Sequence, residues 1–341
     1  MNTLFRVLAS APLCLFPCWA LSACGSSSDS PAGSGGATGT AGGSASAGSA
    51  NLAGAAGAGD SNQLVGSFQI KLTPASDLGA ATTNIVGKIY DGPTPPATIW
   101  EKPQVEGACT LTTPRIPFCN TACGGGSVCV EDDTCQAYPT AHGVGTVTVS
   151  GVKTSDGQST FTMSPIANNY QPSTSIAYPP FADGDPVTVA AAGDFFPTFS
   201  LTSKGITPLA LTSTELALKS GQPLNLTWTK GAAGNSTIHV RLDISHHGGS
   251  KGQIECDTDD SGSLSIAATL ISKLLDLGVA GYPTVIVTRQ AIGSTTVSAG
   301  RVELVVSSVV EQSVTIDGLT SCTKDEDCTG TETCQTDLTC K

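Results

Sequence analysis

Gly248-Gly249-Ser250-Lys251-Gly252 is a G-x-S-x-G run, and His246 and His247 stand just before it. That spacing can lift a serine onto a tight strand-to-helix turn, where a neighbouring histidine activates it as a nucleophile. Here an alternating segment, Ile238 to Ile244, leads into the run, and Gln253-Ile254-Glu255-Cys256 leaves it as a second extended piece. The context is strand–turn–strand, so a Gly-rich hairpin is expected and Ser250 is assigned no catalytic role. No βαβ pattern supplies the sheet that such a hydrolase needs. On an extended chain the adjacent His246 and His247 point to opposite faces, a poor arrangement for chelating one ion. His239 shares the polar parity of its strand with Arg241 and Asp243, so exposure explains it.

A second stretch, Asp257-Thr258-Asp259-Asp260-Ser261-Gly262, resembles the opening of a Ca²⁺ loop, with closely spaced carboxylates and a glycine sixth. The twelfth position is Ala268 where such loops need a bidentate Glu, and no helix pair flanks it, so an EF-hand is excluded. A looser Ca²⁺ site on Asp257, Asp259 and Asp260 is the one cofactor expectation. Its rival is a solvated acidic turn before a helix. Trp100, Trp228, Tyr90, Tyr138, Tyr170, Tyr178, Tyr282, Phe195 and Phe196 offer material for a sugar-stacking platform, but core filling is expected of most.

Cysteine spacing shows an internal repeat. Cys123, Cys129 and Cys135 are each separated by five residues, as are Cys328, Cys334 and Cys340. Aligning the triplets also superposes Gly125 on Gly330, Asp132 on Asp337 and Thr134 on Thr339, and each copy has a further cysteine upstream, Cys119 or Cys322. Two four-cysteine modules, 119–135 and 322–340, follow; each is too short to fold without covalent staples. Structural zinc sites mostly use shorter C-x2-4-C gaps, so disulfides are expected instead. Cys109 and Cys256 are left over and are expected to pair, joining the two halves of the chain. This pattern resembles the cysteine-rich mini-modules of surface proteins from myxobacteria and related soil bacteria, a likeness that implies no activity.

Arg6 is the one charge ahead of an apolar stretch from Val7 to Ala20, which is short for a membrane span and fits a signal peptide. The stretch ends in Leu21-Ser22-Ala23-Cys24, which resembles the lipobox of bacterial lipoproteins. That resemblance implies removal of 1–23 and a diacylglycerol on Cys24. Gly25 stands at the next position instead of Asp, which in lipoproteins of enteric bacteria implies the outer membrane. Cys14 and Cys18 would leave with the signal peptide. Ten of thirteen cysteines then remain, an even number in an oxidising compartment. Residues 24–63, nearly all Gly, Ser, Ala and Thr, read as a flexible tether with a reach of about 35 Å.

The elements that must position these groups are strands. Gly is frequent (39 residues), hydrophobic residues make up 39% and come in short alternating runs, and only 13% of residues are charged. Strands are expected at 68–72, 146–150, 159–163, 224–228, 238–244, 285–288 and 301–310. One short helix is expected where Ala267, Leu270, Ile271, Leu274 and Leu277 fall at helical spacing before Gly278. The fold class is all-β: one or two β-sandwich domains, Ig-like or similar, with the small stapled modules and that helix. The expected division is a β-rich domain at 64–200 carrying a cysteine-rich insertion at 109–135, a β-sandwich at 201–320, and a terminal module at 321–341.

A net charge of −12 argues against nucleic acid as a partner. The expected partners are the membrane, through the N-terminal lipid, and a protein or glycan ligand. The chain as a whole resembles cysteine-rich lipoproteins of myxobacterial type. The reading is an envelope-anchored, noncatalytic binding, adhesion or structural module, periplasmic or surface-exposed. Its alternatives are an extracellular hydrolase, or a Ca²⁺- or carbohydrate-binding envelope module.

Overall fold

A strand with one face in the core alternates buried and exposed side chains, and β1 (Leu64–Thr73) shows this directly. Phe68, Ile70 and Leu72 are buried, while Gln69 and Lys71 face solvent. The computed structural model describes residues 62–76, 79–96, 98–232 and 234–341. The expected signal peptide, Cys24 and most of the tether lie outside the described residues. Among the described residues no helix is long and apolar enough to cross a membrane.

After β1 come β2 (Thr82–Tyr90), β3 (Ile99–Glu106), β4 (Cys109–Arg115), β5 (Ser127–Glu131), β6 (Thr134–Ala137), β7 (Ala141–His142), β8 (Val147–Ser150), β9 (Thr160–Met163) and β10 (Asn169–Tyr170). The second half holds β11 (Pro186–Ala191), β12 (Phe199–Lys204), β13 (Ala217–Leu218), β14 (Leu224–Thr227), β15 (Thr237–Asp243), β16 (Gln253–Asp259), β17 (Ser263–Ile266), α1 (Ala268–Asp276), β18 (Thr284–Val297), β19 (Gly300–Ser313) and β20 (Thr315–Ile316). A ten-stranded sheet runs β10-β2-β1-β19-β18-β15-β16-β4-β3, with β7 also beside β2. The β1–β19 pair is parallel; its neighbours β1–β2, β18–β19 and β15–β18 are antiparallel.

Two cores lie against this one sheet. Phe68, Ile70, Leu72, Ile85, Ile89, Val302, Leu304 and Val306 pack on Val147, Val149, Val187, Val189 and Leu201 of the four-stranded sheet β12-β11-β8-β9. Ile238, Val240, Leu242, Ile254, Val285 and Val287 pack instead on Leu224, Leu226 and Ile266 of the β14–β17 pair and on α1. The helix buries Leu270, Ile271 and Leu274, and Gly278 takes the left-handed conformation (φ +85°) just past its end. β18 and β19, 14 residues each, serve both cores: Val287 belongs to the second and Ala291 to the first.

The fold is thus all-β and sandwich-like. The expected division near residue 200 does not separate it: residue 200 lies inside β12, and the ten-stranded sheet takes strands from both sides of it. The cause is the β1–β19 pairing, which hydrogen-bonds the first strand to one of the last. Residues 224–227 lie in the covering layer, where β14 pairs with β17, and not in the ten-stranded sheet with β15. Two glycines make close approaches possible. A Cβ on Gly87 would lie 2.3 Å from the Phe68 ring, and one on Gly293 would lie 1.8 Å from the Thr202 carbonyl, where β12 crosses β18.

Candidate functional site

The ten cysteines of the described body are all bonded. Cys109 pairs with Cys256, directly opposite it in the β4–β16 ladder, and both are buried in the second core. The modules pair first with third and second with fourth: Cys119–Cys129 and Cys123–Cys135 in one, Cys322–Cys334 and Cys328–Cys340 in the other. They agree further. Cys129 faces Cys135 across a ladder as Cys334 faces Cys340, and Asp133 and Leu338, equivalent in the alignment, both adopt positive φ (58° and 59°). Among the described residues the groups that place three metal-ligating atoms together are cysteines of these modules, and their sulfurs are consumed in disulfides.

The acidic stretch does not assemble as a Ca²⁺ site. Asp257 points outward on β16 and hydrogen-bonds His239 (Nδ1–Oδ1 2.9 Å). Asp260 turns inward, where its side chain is 4% exposed, against Arg289, which is 1% exposed. Its Oδ2 accepts from Arg289 Nε (2.7 Å), Ser236 Oγ (2.8 Å) and Gly231 N (3.1 Å). Its Oδ1 accepts from Trp228 Nε1 (2.7 Å) and Arg289 Nη2 (3.2 Å). With five donors on two oxygens, no lone pair is left for a cation. Burial alone would raise the Asp260 pKa; the hydrogen bonds from Arg289, Ser236 and Trp228 outweigh it and hold the carboxyl below its ordinary range. Arg289 also donates to the carbonyls of Thr207, Pro208 and Thr229, tying β18 to the segments around the covering layer. Sequence reasoning missed Arg289. Its signal was parity, since it stands on the inward side between Val287 and Ala291.

The G-x-S-x-G run closes the antiparallel β15–β16 hairpin, as its flanks require. Among the described residues no hydrogen bond joins Ser250 to a histidine or a carboxylate. Ser245, by contrast, is buried and bonds Asp243 Oδ1 (2.9 Å) while accepting from Lys251 N (3.1 Å), which pins the loop. His246 and His247 depart from expectation. His247 has φ +64°, so the chain turns, and the two rings come within 4.0 Å of each other. Two surface depressions of about 690 Å³ lie over β1–β2 and beside residues 73–76, and the lining of each contains neither a histidine nor Ser250.

The aromatics do not share one face. Trp228 and Tyr170 are buried, and the Tyr170 hydroxyl accepts from Val144 N (2.7 Å) and donates to the Gly145 carbonyl (3.0 Å). Phe195 is exposed but stacked on His142 (3.5 Å), whose Nε2 lies 3.1 Å from Asp91. The exposed apolar side chains concentrate elsewhere. Trp100, Val105, Ile116, Phe118 and Tyr138, half of the large exposed hydrophobics among the described residues, lie on the β3–β4 hairpin or in the segments that flank the first cysteine module. Arg115 joins these two pieces by bonding Glu101 (2.5 Å) and Asp132 (2.6 Å). The Phe118 amide, and after it the Arg115 charge, lower the Asp132 pKa. The module is also tied to the chain after β2, through Gln136 to the Pro93 carbonyl and the Thr140 amide to Asp91.

Fold and side-chain arrangement together define a disulfide-stapled, cysteine-rich β-sandwich. No protein-family model matches the chain, and no curated protein matches it in sequence. Among solved structures, the FN1-FN3 domains of chicken CNTN1 align at 8% identity over 68% of this chain and 78% of theirs, with a TM-score of 0.19. Trypsin-activated alpha-2-macroglobulin from Escherichia coli aligns at 11% identity over 74% of this chain and 20% of its own, also with a TM-score of 0.19. Superpositions this loose define no shared site.

Proposed function

We propose that the chain is an exported lipoprotein, held on the outer membrane through lipid on Cys24, whose stapled body is a noncatalytic module that binds a protein partner. The lipobox-like tetrad supports the anchor, and five disulfides are the chemistry of an oxidising compartment outside the cytoplasm. The observation that carries the binding role is the set of exposed apolar side chains on the β3–β4 hairpin and beside the first module. Large apolar groups held in water on rigid, cross-linked backbone mark interaction surfaces. Val105, Ile116 and Phe118 suit the apolar centre of a protein interface better than a sugar.

A photo-crosslinking residue installed at Phe118 in the producing cell tests this. The expected result is a discrete covalent adduct to one envelope protein, absent when the same residue is placed at Thr160 of β9. Equal or absent crosslinking at both positions refutes the assignment.

A further inference from the structure

The depression over β1 and β2 differs in character from the rest of this acidic chain. Along β2 the side chains of Val86, Lys88 and Tyr90 face outward, alternating with buried Ile85, Gly87 and Ile89. Register sets Ser67, Lys88 and Asn169 side by side across β1, β2 and β10, on the face of the sheet away from the first core. β1 bulges between Leu64 and Gly66, and a Cβ on Gly66 would lie 2.6 Å from the Lys88 carbonyl oxygen, so the floor closes tightly there. The resulting space is about 690 Å³, within the range of small-ligand clefts.

Its lining contains no acidic residue and a single cation, Lys88, in a chain of net charge −12. Carboxylates beside it are engaged elsewhere. Asp91 binds His142 and the Thr140 amide, and Glu303, opposite Ser67 in register, pairs with Arg301 (3.2 Å). Lys88 holds its Nζ 5.4 Å from the centre of the Tyr90 ring and makes no ion pair among the described residues. Amides complete the lining. Gln69 donates to Ser67 Oγ (3.2 Å), Asn169 donates to the Ala167 carbonyl (2.9 Å), and the Gln171 side chain makes no hydrogen bond among the described residues. The side-chain oxygens of Gln69 and Asn169, and both ends of the Gln171 amide, therefore remain for a ligand. Fixed neighbours hold this set in place. Tyr170, between Asn169 and Gln171, is tied through its hydroxyl to Val144 and Gly145, and Thr94 follows Pro93, whose carbonyl accepts from Gln136 (3.1 Å).

We propose that this depression binds a saccharide carrying a carboxylate, with the carboxylate on Lys88 and the ring hydroxyls on Gln69, Asn169 and Gln171. Side-chain amides both donate and accept, which matches hydroxyls that do the same. One ammonium supplies a point charge suited to one carboxylate. A phosphate, with nearly two charges, is held in proteins by Arg forks or helix N-termini, and neither lines this depression. A neutral sugar would leave the partly buried Lys88 facing no opposite charge. The lining shares no residue with the apolar surface around Phe118, so one anchored chain can hold a glycan and a protein together.

The test applies the full chain in detergent to an array of glucuronate, galacturonate and sialic acid oligosaccharides. Each is paired with its methyl ester, which keeps the hydroxyls and removes the charge. Wild type is expected to bind at least one of the acids and not its ester, and the acid that binds separates uronate from keto-acid recognition. Lys88→Gln is expected to weaken that binding about tenfold or more, the loss of one charge-assisted hydrogen bond. Gln171→Ala is expected to weaken it roughly fivefold. Phe118→Ala is expected to bind as wild type does. An unchanged thermal midpoint and absence of free thiols show that each variant is folded. The proposal is overturned if wild type binds none of the acids, if the esters bind as well as the acids, or if the Lys88 or Gln171 variant binds as wild type does. Loss of binding in Phe118→Ala overturns the placement of the site.

Discussion

Replacing Asp260 with Asn should destabilise the body by about 3–5 kcal/mol, the cost of leaving one member of a buried ion pair without its partner. The magnitude follows from the contacts. The amide removes the charge that faces a guanidinium only 1% exposed. It also sets an NH₂ group against donors whichever way it is flipped, since both carboxylate oxygens accept only from donors: Arg289, Ser236 and Gly231 on one, Trp228 and Arg289 on the other. Arg289→Met is expected to cost a similar amount, because it strands Asp260 and frees the carbonyls of Thr207, Pro208 and Thr229. The double variant should cost much less than the sum, since neither charge is then left alone. Urea unfolding with disulfides intact, followed by the fluorescence of buried Trp228, measures all three. A single-variant cost below about 1 kcal/mol, or strict additivity, would refute the claim that this pair is a buried, mutually dependent unit.

The same pair sets a pH response. The Asp260 carboxyl is held below its ordinary range, so its contribution is present above the unfolded-state value of about 4 and disappears as pH falls through the folded-state value. Wild type should therefore lose its advantage over Asp260→Asn under strong acid, seen as converging urea midpoints. Replacing Cys109 and Cys256 together by Ala should cost roughly 5 kcal/mol in the chain-entropy account, because the bond spans 147 residues; a fall in urea midpoint with the other four disulfides intact checks it. Tyr170→Phe should cost about 1–3 kcal/mol by stranding the Val144 amide, readable as a lower thermal midpoint.

The helix and the best strands were legible because burial in them is periodic. Leu270, Ile271 and Leu274 fall on one stripe, and Ile238, Val240 and Leu242 on one parity. The Cys109–Cys256 bond could be read by elimination once the repeat accounted for eight cysteines. The extent of β18 could not be read: Arg289 and Gly293 interrupt its apolar alternation, so only 285–288 stood out of a strand running from Thr284 to Val297. β3 and β4 were hidden by Pro103 and Pro114: β3 tolerates Pro103 as an edge strand with a bulge at Lys102 (φ 52°), and Pro114 lies past the Cys109–Thr112 stretch of β4 that pairs with β16. The approach of the His246 and His247 rings was illegible for a local reason. Extended geometry separates adjacent histidines, and the turn at His247 depends on contacts with residues 280–282, far along the chain.

Non-reducing peptide mapping by mass spectrometry of the protein from the membrane fraction tests the anchored, exported reading most directly. A mature chain beginning at a lipid-modified Cys24 is expected, with no free thiol and the pairs 109–256, 119–129, 123–135, 322–334 and 328–340. A chain that retains its first 23 residues, an unmodified Cys24, or free thiols among those ten positions would contradict it.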